Sequence, residues 1–254
     1  MAVITNRIRL GSVVLCYSYR HPAVLDKMAA TLDHFSGGRL ELGLGAGSEQ
    51  QDEEHAALGI PFLPASERIR QFREYVDVVR LLLSCNGRVS YEGSYYVLRE
   101  AACNNPPIQK PHPPIWIGAR RGKMLEVAAE IGEGLNLYCE DLEELTQSLE
   151  TFSSICEARG IEPGRIRKSV FTSVLAYGGQ QFREKLRTLG TELGSFDEFR
   201  RRTYMLLHGS VDTIITTLER LEEMGISLVI LRDLERDMPS IKTLAEEVLP
   251  SFRR

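Results

Sequence analysis

The chain has 254 residues, 43% of them hydrophobic and 26% charged, which suits one large α/β domain or two small ones and supplies a sizeable core. A net charge of −4 without a basic tract gives no electrostatic case for nucleic acid, and no run reads as a membrane span or secretory leader. Five scattered cysteines, Cys16, Cys85, Cys103, Cys139 and Cys156, lack C-x-x-C spacing, so they read as reduced thiols of a cytosolic protein and not as a disulfide framework or zinc site.

Strand-like and helix-like runs alternate to the end of the chain. Residues 7–16 read as a first strand. After Arg20-His21-Pro22 comes a helix over about 22–35, with Val24, Leu25, Met28, Ala29 and Leu32 at helical spacing. A Gly-Gly turn leads into a second strand over 39–44, ending in Gly43-Leu44-Gly45-Ala46-Gly47. Residues 48–54 read as a polar loop, and Ser66-Glu67 opens a long helix to about 84. Residues 88–99 read as a hairpin with Glu92-Gly93 at its turn. The stretch 103–114 holds five prolines and reads as an extended connector.

Strand 114–118, helix 123–131, strand 134–139, helix 141–158 and strand 169–177 follow. Helical matter then fills 179–207, an insertion centred on 180–207, before helix 211–224, strand 227–231 and a closing helix to about 249. The whole, 1–254, reads as a single domain of about six strand–helix units. Its strands are rich in Ile, Val and Leu, as parallel strands buried on both faces are. The sheet is therefore parallel, either open and doubly wound or closed into a barrel. A (β/α)8 barrel takes about 250 residues for eight units, so this chain counts about two units short, and periodicity alone leaves both architectures open.

Three places carry chemistry. Gly43, Gly45 and Gly47 alternate along one strand face, where missing side chains either let a flat cofactor lie on backbone or permit a barrel-corner bend. Gly118-Ala119-Arg120-Arg121-Gly122 follows a strand and opens a helix. The free N–H groups there make a phosphate cradle, with a solvated arginine pair as the alternative. Ser48 to His55 is an acidic run just past the glycine strand, in which Glu49 is either a polar contact to a ring or part of a solvated face. His21 stands where a general acid or base fits, at a strand's C-terminal end, or else anchors its loop with Arg20. His34 suits a helix C-terminus, and His55, His112 and His208 read as structural.

The segments IRLGSVVLCYSYRHPAVLDKMAATLDHFSGGRLELGLGAG (8–47), EEHAALGIPF (53–62), PPIQKPHPPIWIGA (106–119), GEGLNL (132–137) and HGSVDTIITTLERLEEMGISLVIL (208–231) together resemble the bacterial luciferase-like monooxygenase family. They are most similar to its branch of oxidoreductases that use the deazaflavin coenzyme F420. The resemblance covers nearly the whole chain and is weakest over 180–207. It implies an α/β TIM (β/α)8-type barrel, truncated at its N-terminus to about six units, with F420 or flavin mononucleotide (FMN) across the C-terminal strand ends. The family's first two units would lie upstream of Met1, and residues 2–6 would be the tail of the second helix.

By the same resemblance, Ser12, Val13 and Val14 form a bulge with a non-prolyl cis peptide at Val13–Val14 or a neighbour, which backs the ring. Gly45, Ala46 and Gly47 contact the cofactor, as do Gly118, Ala119 and Arg120, although relatives carry more glycine at 119 and 120. Relatives also show Trp or Glu where this chain has Ser48. The family's proton-handling Asp or His residues come from its first two strands, so no catalytic residue is assigned in this chain, and no metal is implied. The activity implied is hydride transfer between coenzyme F420 and a small organic substrate. The alternatives are an FMN-dependent monooxygenase and a non-catalytic flavin-binding fragment. Exposed strand edges at 8–15 and 227–231 call for a partner, in the simplest case a homodimer.

Overall fold

The computed structural model describes residues 1–48, 51–177, 179–192, 205–234 and 239–252. The chain falls into two compact units, Met1–Leu135 and Asn136–Arg254. No helix among the described residues is long and apolar enough to cross a membrane.

In the first unit, β1 (Leu10–Gly11) and β2 (Leu15–Cys16) both run parallel to β3 (Leu40–Gly45). Gly11 stands opposite Glu41, and Leu15 opposite Leu44. Four steps along the first strand therefore answer three along its partner, which makes residues 12–14 a bulge within the expected strand. The Ser12 hydroxyl takes over the ladder there, donating to the Gly43 carbonyl at 2.9 Å and accepting the Gly43 N–H at 3.0 Å. The far side of β3 pairs in parallel with the strand Ile115–Ala119, with Gly43 opposite Trp116.

The helical layer of this unit is α1 (Pro22–Ser36), the short α2 (Asp52–Ala57), α3 (Ala65–Ser84) and α4 (Lys123–Ile131). Helix α1 packs on β3, α4 on the strand Ile115–Ala119, and α3 against both helices. Leu42, Leu44, Ile115 and Ile117 are fully buried in this layer. Helix α1 starts as its sequence dictates, with Pro22 in its first turn and His21 Nδ1 accepting the Ala23 N–H at 3.2 Å. The periodic stripe is displaced, however. Leu25, Asp26, Ala29, Ala30 and Asp33 are buried, while Val24, Met28, Leu32 and Phe35 are exposed. The reason is a buried Asp33, whose carboxylate accepts both the backbone N–H and the side-chain amide of Gln109 at 2.9 and 2.8 Å; this turns the helix toward the proline connector. Strands β4 (Arg88–Glu92) and β5 (Val97–Ala102) form the expected hairpin.

The second unit is built around β8 (Arg167–Leu175), which follows β6 (Ile115–Ala119) and β7 (Gly134–Tyr138) in chain order. It runs parallel to β10 (Leu228–Asp233) and to β9 (Leu206–His208). Its core is Val174, Leu207, Ile214, Leu244 and Val248, and the Asn136 amide donates to Ser169 Oγ at 2.8 Å. Helices α5 (Leu142–Ala158), α6 (Gly179–Glu192), α7 (Val211–Glu223) and α8 (Pro239–Thr243) complete it.

Two expectations are corrected. Residues 206 and 207, read as the end of a helical insertion, form a strand with His208, since three residues are too few to show a period and the partner at Ser173–Leu175 is distant in sequence. The acidic stretch from 52, read as loop, is a helix whose first turn holds Asp52, Glu53 and Glu54, where negative charge is favoured. Residues 193–204 of the insertion lie outside the described residues.

Candidate functional site

The parallel strands of the first unit end at one mouth, and the bulge lies there. The Val13–Val14 peptide is cis, as the resemblance implied. Val14 turns its isopropyl group onto the glycines of two neighbouring strands. A Cβ at Gly45 would stand 2.7 Å from Val14 Cγ2, one at Gly118 2.8 Å from the same atom, and one at Gly43 3.1 Å from Cγ1 while overlapping the Ser12 carbonyl. The glycine face is thus a seat for the protein's own bulge, so that Val14 fills the hollow beside Gly45. Val13, next along the bulge, is 45% exposed. The structure brings Ser12, Val13, Val14, Gly45 and Gly118 together in this way.

Gly47 turns the chain away from β3 at φ +78°, with Cys16 Sγ 3.3 Å from where its Cβ would be. Ala46, just before it, is buried. Ser48 and Gln51 are joined twice, the Ser48 N–H donating to Gln51 Oε1 at 3.0 Å and the Gln51 N–H to the Ser48 carbonyl at 3.0 Å. Glu49 lies outside the described residues. Beyond Gly118, Ala119 is buried, Arg120 half-buried and Arg121 exposed. Gly122, at φ +63°, is the N-cap of α4 and has no side chain with which to cap it. The first turn of that helix therefore has no side-chain cap, and two arginines precede it in the chain.

The sequence reading missed a buried polar chain at the same mouth. His55, wholly buried in α2, is stacked on Tyr19 at 4.8 Å and tilted against Phe62 at 4.6 Å. Its Nδ1 lies 2.7 Å from the Gln51 carbonyl and its Nε2 2.6 Å from Ser18 Oγ, which is 3.1 Å from Cys16 Sγ. The signal available in the sequence was EEHAALGIPF directly after the glycine strand, read only as family resemblance. Around it, the Glu54 carboxylate accepts the Tyr19 hydroxyl at 2.6 Å and holds that phenol's pKa up at about 12. Tyr17 donates to Gln71 Oε1 at 2.9 Å, and burial pushes its phenol well above the ordinary value.

The other histidines have local partners. His34 Nε2 lies 2.8 Å from the Pro106 carbonyl and His112 Nδ1 2.9 Å from that of Pro113. In the second unit, His208 stacks flat on Phe182 at 4.1 Å, and burial lowers its proton affinity. All five cysteines are buried, and none is in a disulfide.

Comparison with known proteins gives a family. Residues 1–190 match the model for luciferase-like monooxygenases. The chain is 34% identical over 131 residues to an F420-dependent glucose-6-phosphate dehydrogenase from Microbacterium testaceum, a match over 51% of this chain and 37% of that protein. It is 29% identical over 157 residues to the oxygenase component of a flavin-dependent trigonelline monooxygenase from Acinetobacter baylyi, over 60% of this chain and 42% of that protein. The chain spans less than half the length of these two curated relatives. Among solved structures, an F420-dependent secondary alcohol dehydrogenase in complex with an F420–acetone adduct superposes with a TM-score of 0.82 at 18% identity, covering 100% of this chain and 82% of that one. The α/β fold is therefore that of the TIM-barrel type, and the chain belongs to the luciferase-like monooxygenase family.

Proposed function

We propose that this chain carries the cofactor-binding part of an oxidoreductase that moves a hydride between coenzyme F420 and a small organic substrate. The observation that carries the reading is the bulge at the strand ends. With Val14 seated in glycine, Ser12, Val13 and Val14 present a rigid, mostly apolar wall with Val13 exposed, the surface that a flat tricyclic ring packs against. Gly45, Ala46 and Gly47 border the wall. Gly118, Ala119 and Arg120 lead to the start of α4, where the N–H groups and the arginines suit a phosphate. The residues present thus fit a ring with a phosphorylated tail. When bound, the deazaflavin accepts or gives a hydride as an electron pair, and the protein supplies position and electrostatics.

A second reading, an FMN-dependent monooxygenase, is favoured by the similarity to the trigonelline enzyme, because the same wall and cradle suit FMN. A non-catalytic flavin-binding fragment is the third. Titrating the purified chain with each cofactor, followed by fluorescence, ranks them. We expect saturable F420 binding tighter than that of FMN. Tighter FMN binding moves the assignment to the second reading, and binding of FMN alone without turnover to the third. A homodimer is supported by the exposed stripe Val24, Met28, Leu32 and Phe35 on α1, an apolar surface of the kind that association covers.

A further inference from the structure

The hydrogen bonds that join Cys16, Ser18 and His55 take a single direction when the imidazole is neutral. The Gln51 carbonyl, 2.7 Å from His55 Nδ1, can only accept, so Nδ1 carries the imidazole hydrogen. Nε2 of the neutral ring is then an acceptor, and the Ser18 hydroxyl at 2.6 Å donates to it. With its single hydrogen committed, Ser18 Oγ accepts, and the Cys16 thiol at 3.1 Å donates. Tyr19 stacks on the buried ring and Phe62 tilts against it, contacts that hinder it from turning to other partners. Ser18 is half-buried in the turn that leaves β2, whose last residue pairs with Gly45. The hydroxyl therefore stands at the C-terminal strand ends, where barrel enzymes of this type place their chemistry. A hydroxyl, a base and a fixed group that orients the base are the parts of a proton-transfer device.

We infer that Ser18 and His55 form the proton-transfer pair of this site, with an alcohol or its carbonyl product as the substrate class. The inference rests on the hydride-transfer reading above, in which coenzyme F420 is the oxidant. As the hydride leaves the alcohol carbon for that oxidant, the alcohol O–H bond breaks and its proton passes to Ser18 Oγ. The Ser18 hydrogen passes in the same step to His55 Nε2. One proton leaves the substrate, one is stored as imidazolium, and the C–O bond becomes a carbonyl. The Gln51 carbonyl keeps the ring in register. Reduction of a carbonyl runs the same steps backward.

Two measurements test this. Nitrogen-15 labelling of histidine in the full chain reads the His55 tautomer without cofactor. We expect Nδ1–H, with the Nε2 resonance shifted in Ser18→Ala and restored in Ser18→Thr; a ring protonated at Nε2 overturns the inference. Single-turnover oxidation of a panel of small primary and secondary alcohols by the F420-loaded protein is then followed in H₂O and D₂O. Ser18→Ala and His55→Gln are expected to bind F420 as the unaltered chain does, yet lose about 100-fold in rate together with the solvent isotope effect. Ser18→Thr is expected to recover most of both. Equal rates and isotope effects in Ser18→Ala and the unaltered chain overturn the pair, as does F420 binding with no alcohol oxidised. If the unaltered chain binds no F420, the hydride-transfer reading falls by itself and the pair is judged on the tautomer.

Discussion

Gly45 shows how an absent side chain can hold a site together. Its place is needed by Val14, so Gly45→Ala brings a methyl within 2.7 Å of Val14 Cγ2 and forces the bulge outward. Overpacking of this kind costs about 1–3 kcal/mol. Urea denaturation is expected to show that loss, and F420 titration a weaker complex. An unchanged affinity would separate the glycine face from the cofactor wall. Asp26 is a different case, a carboxyl buried in α1 whose Oδ1 has no hydrogen-bond partner among the described residues. Burial pushes its pKa up from the ordinary 3.8, against a smaller opposing hydrogen bond from Cys103. An acid with a raised folded pKa stabilises most below its unfolded value and loses that contribution as pH rises through the folded value. Asp26→Asn is therefore expected to be more stable than the unaltered chain near neutral pH, with the gap closing as pH falls toward 4. A pH series of thermal midpoints checks the sign.

The hairpin β4–β5 depends on one residue of a neighbouring helix. The Glu74 carboxylate of α3 accepts the N–H groups of Ser94, Tyr95 and Tyr96 at 2.8 to 3.1 Å and so caps the turn from outside. Glu74→Ala leaves those donors without that acceptor, at about 1–3 kcal/mol. Hydrogen exchange is expected to quicken at Tyr95 and Tyr96 well before the β3 amides are affected; uniform quickening would mean global loss instead. The hairpin itself was readable, because alternation and Glu-Gly punctuation are local signals. The interruption of the first strand was expected only from the family resemblance, because apart from Gly11 the residues from Arg7 to Cys16 read as one continuous strand. Helix α1 was placed correctly but rotated wrongly, because Asp33 outweighs a weak apolar stripe once Gln109 satisfies it.

The exposed stripe of α1 gives the assembly its test. Met28→Glu combined with Phe35→Glu is expected to turn a homodimer into monomers in sedimentation velocity without changing the circular dichroism; a doubly substituted chain that still sediments as a dimer places the interface elsewhere. Apart from the strand at 206–208 and the helix from 52, the order of strands and helices, the parallel character of the sheet, the glycine strand end and the family were legible in the 254 residues. Each is written in spacings of two to four residues or in contiguous motifs. What occupies the glycine face, which way α1 turns, and the union of Ser18 with His55 were decided only on folding. Those contacts join groups some thirty or more residues apart, such as Val14 with Gly45, Ser18 with His55 and Asp33 with Gln109. A period read along the chain carries no information about such distant pairs, whereas packing selects among them by shape and by the need to satisfy buried polar groups.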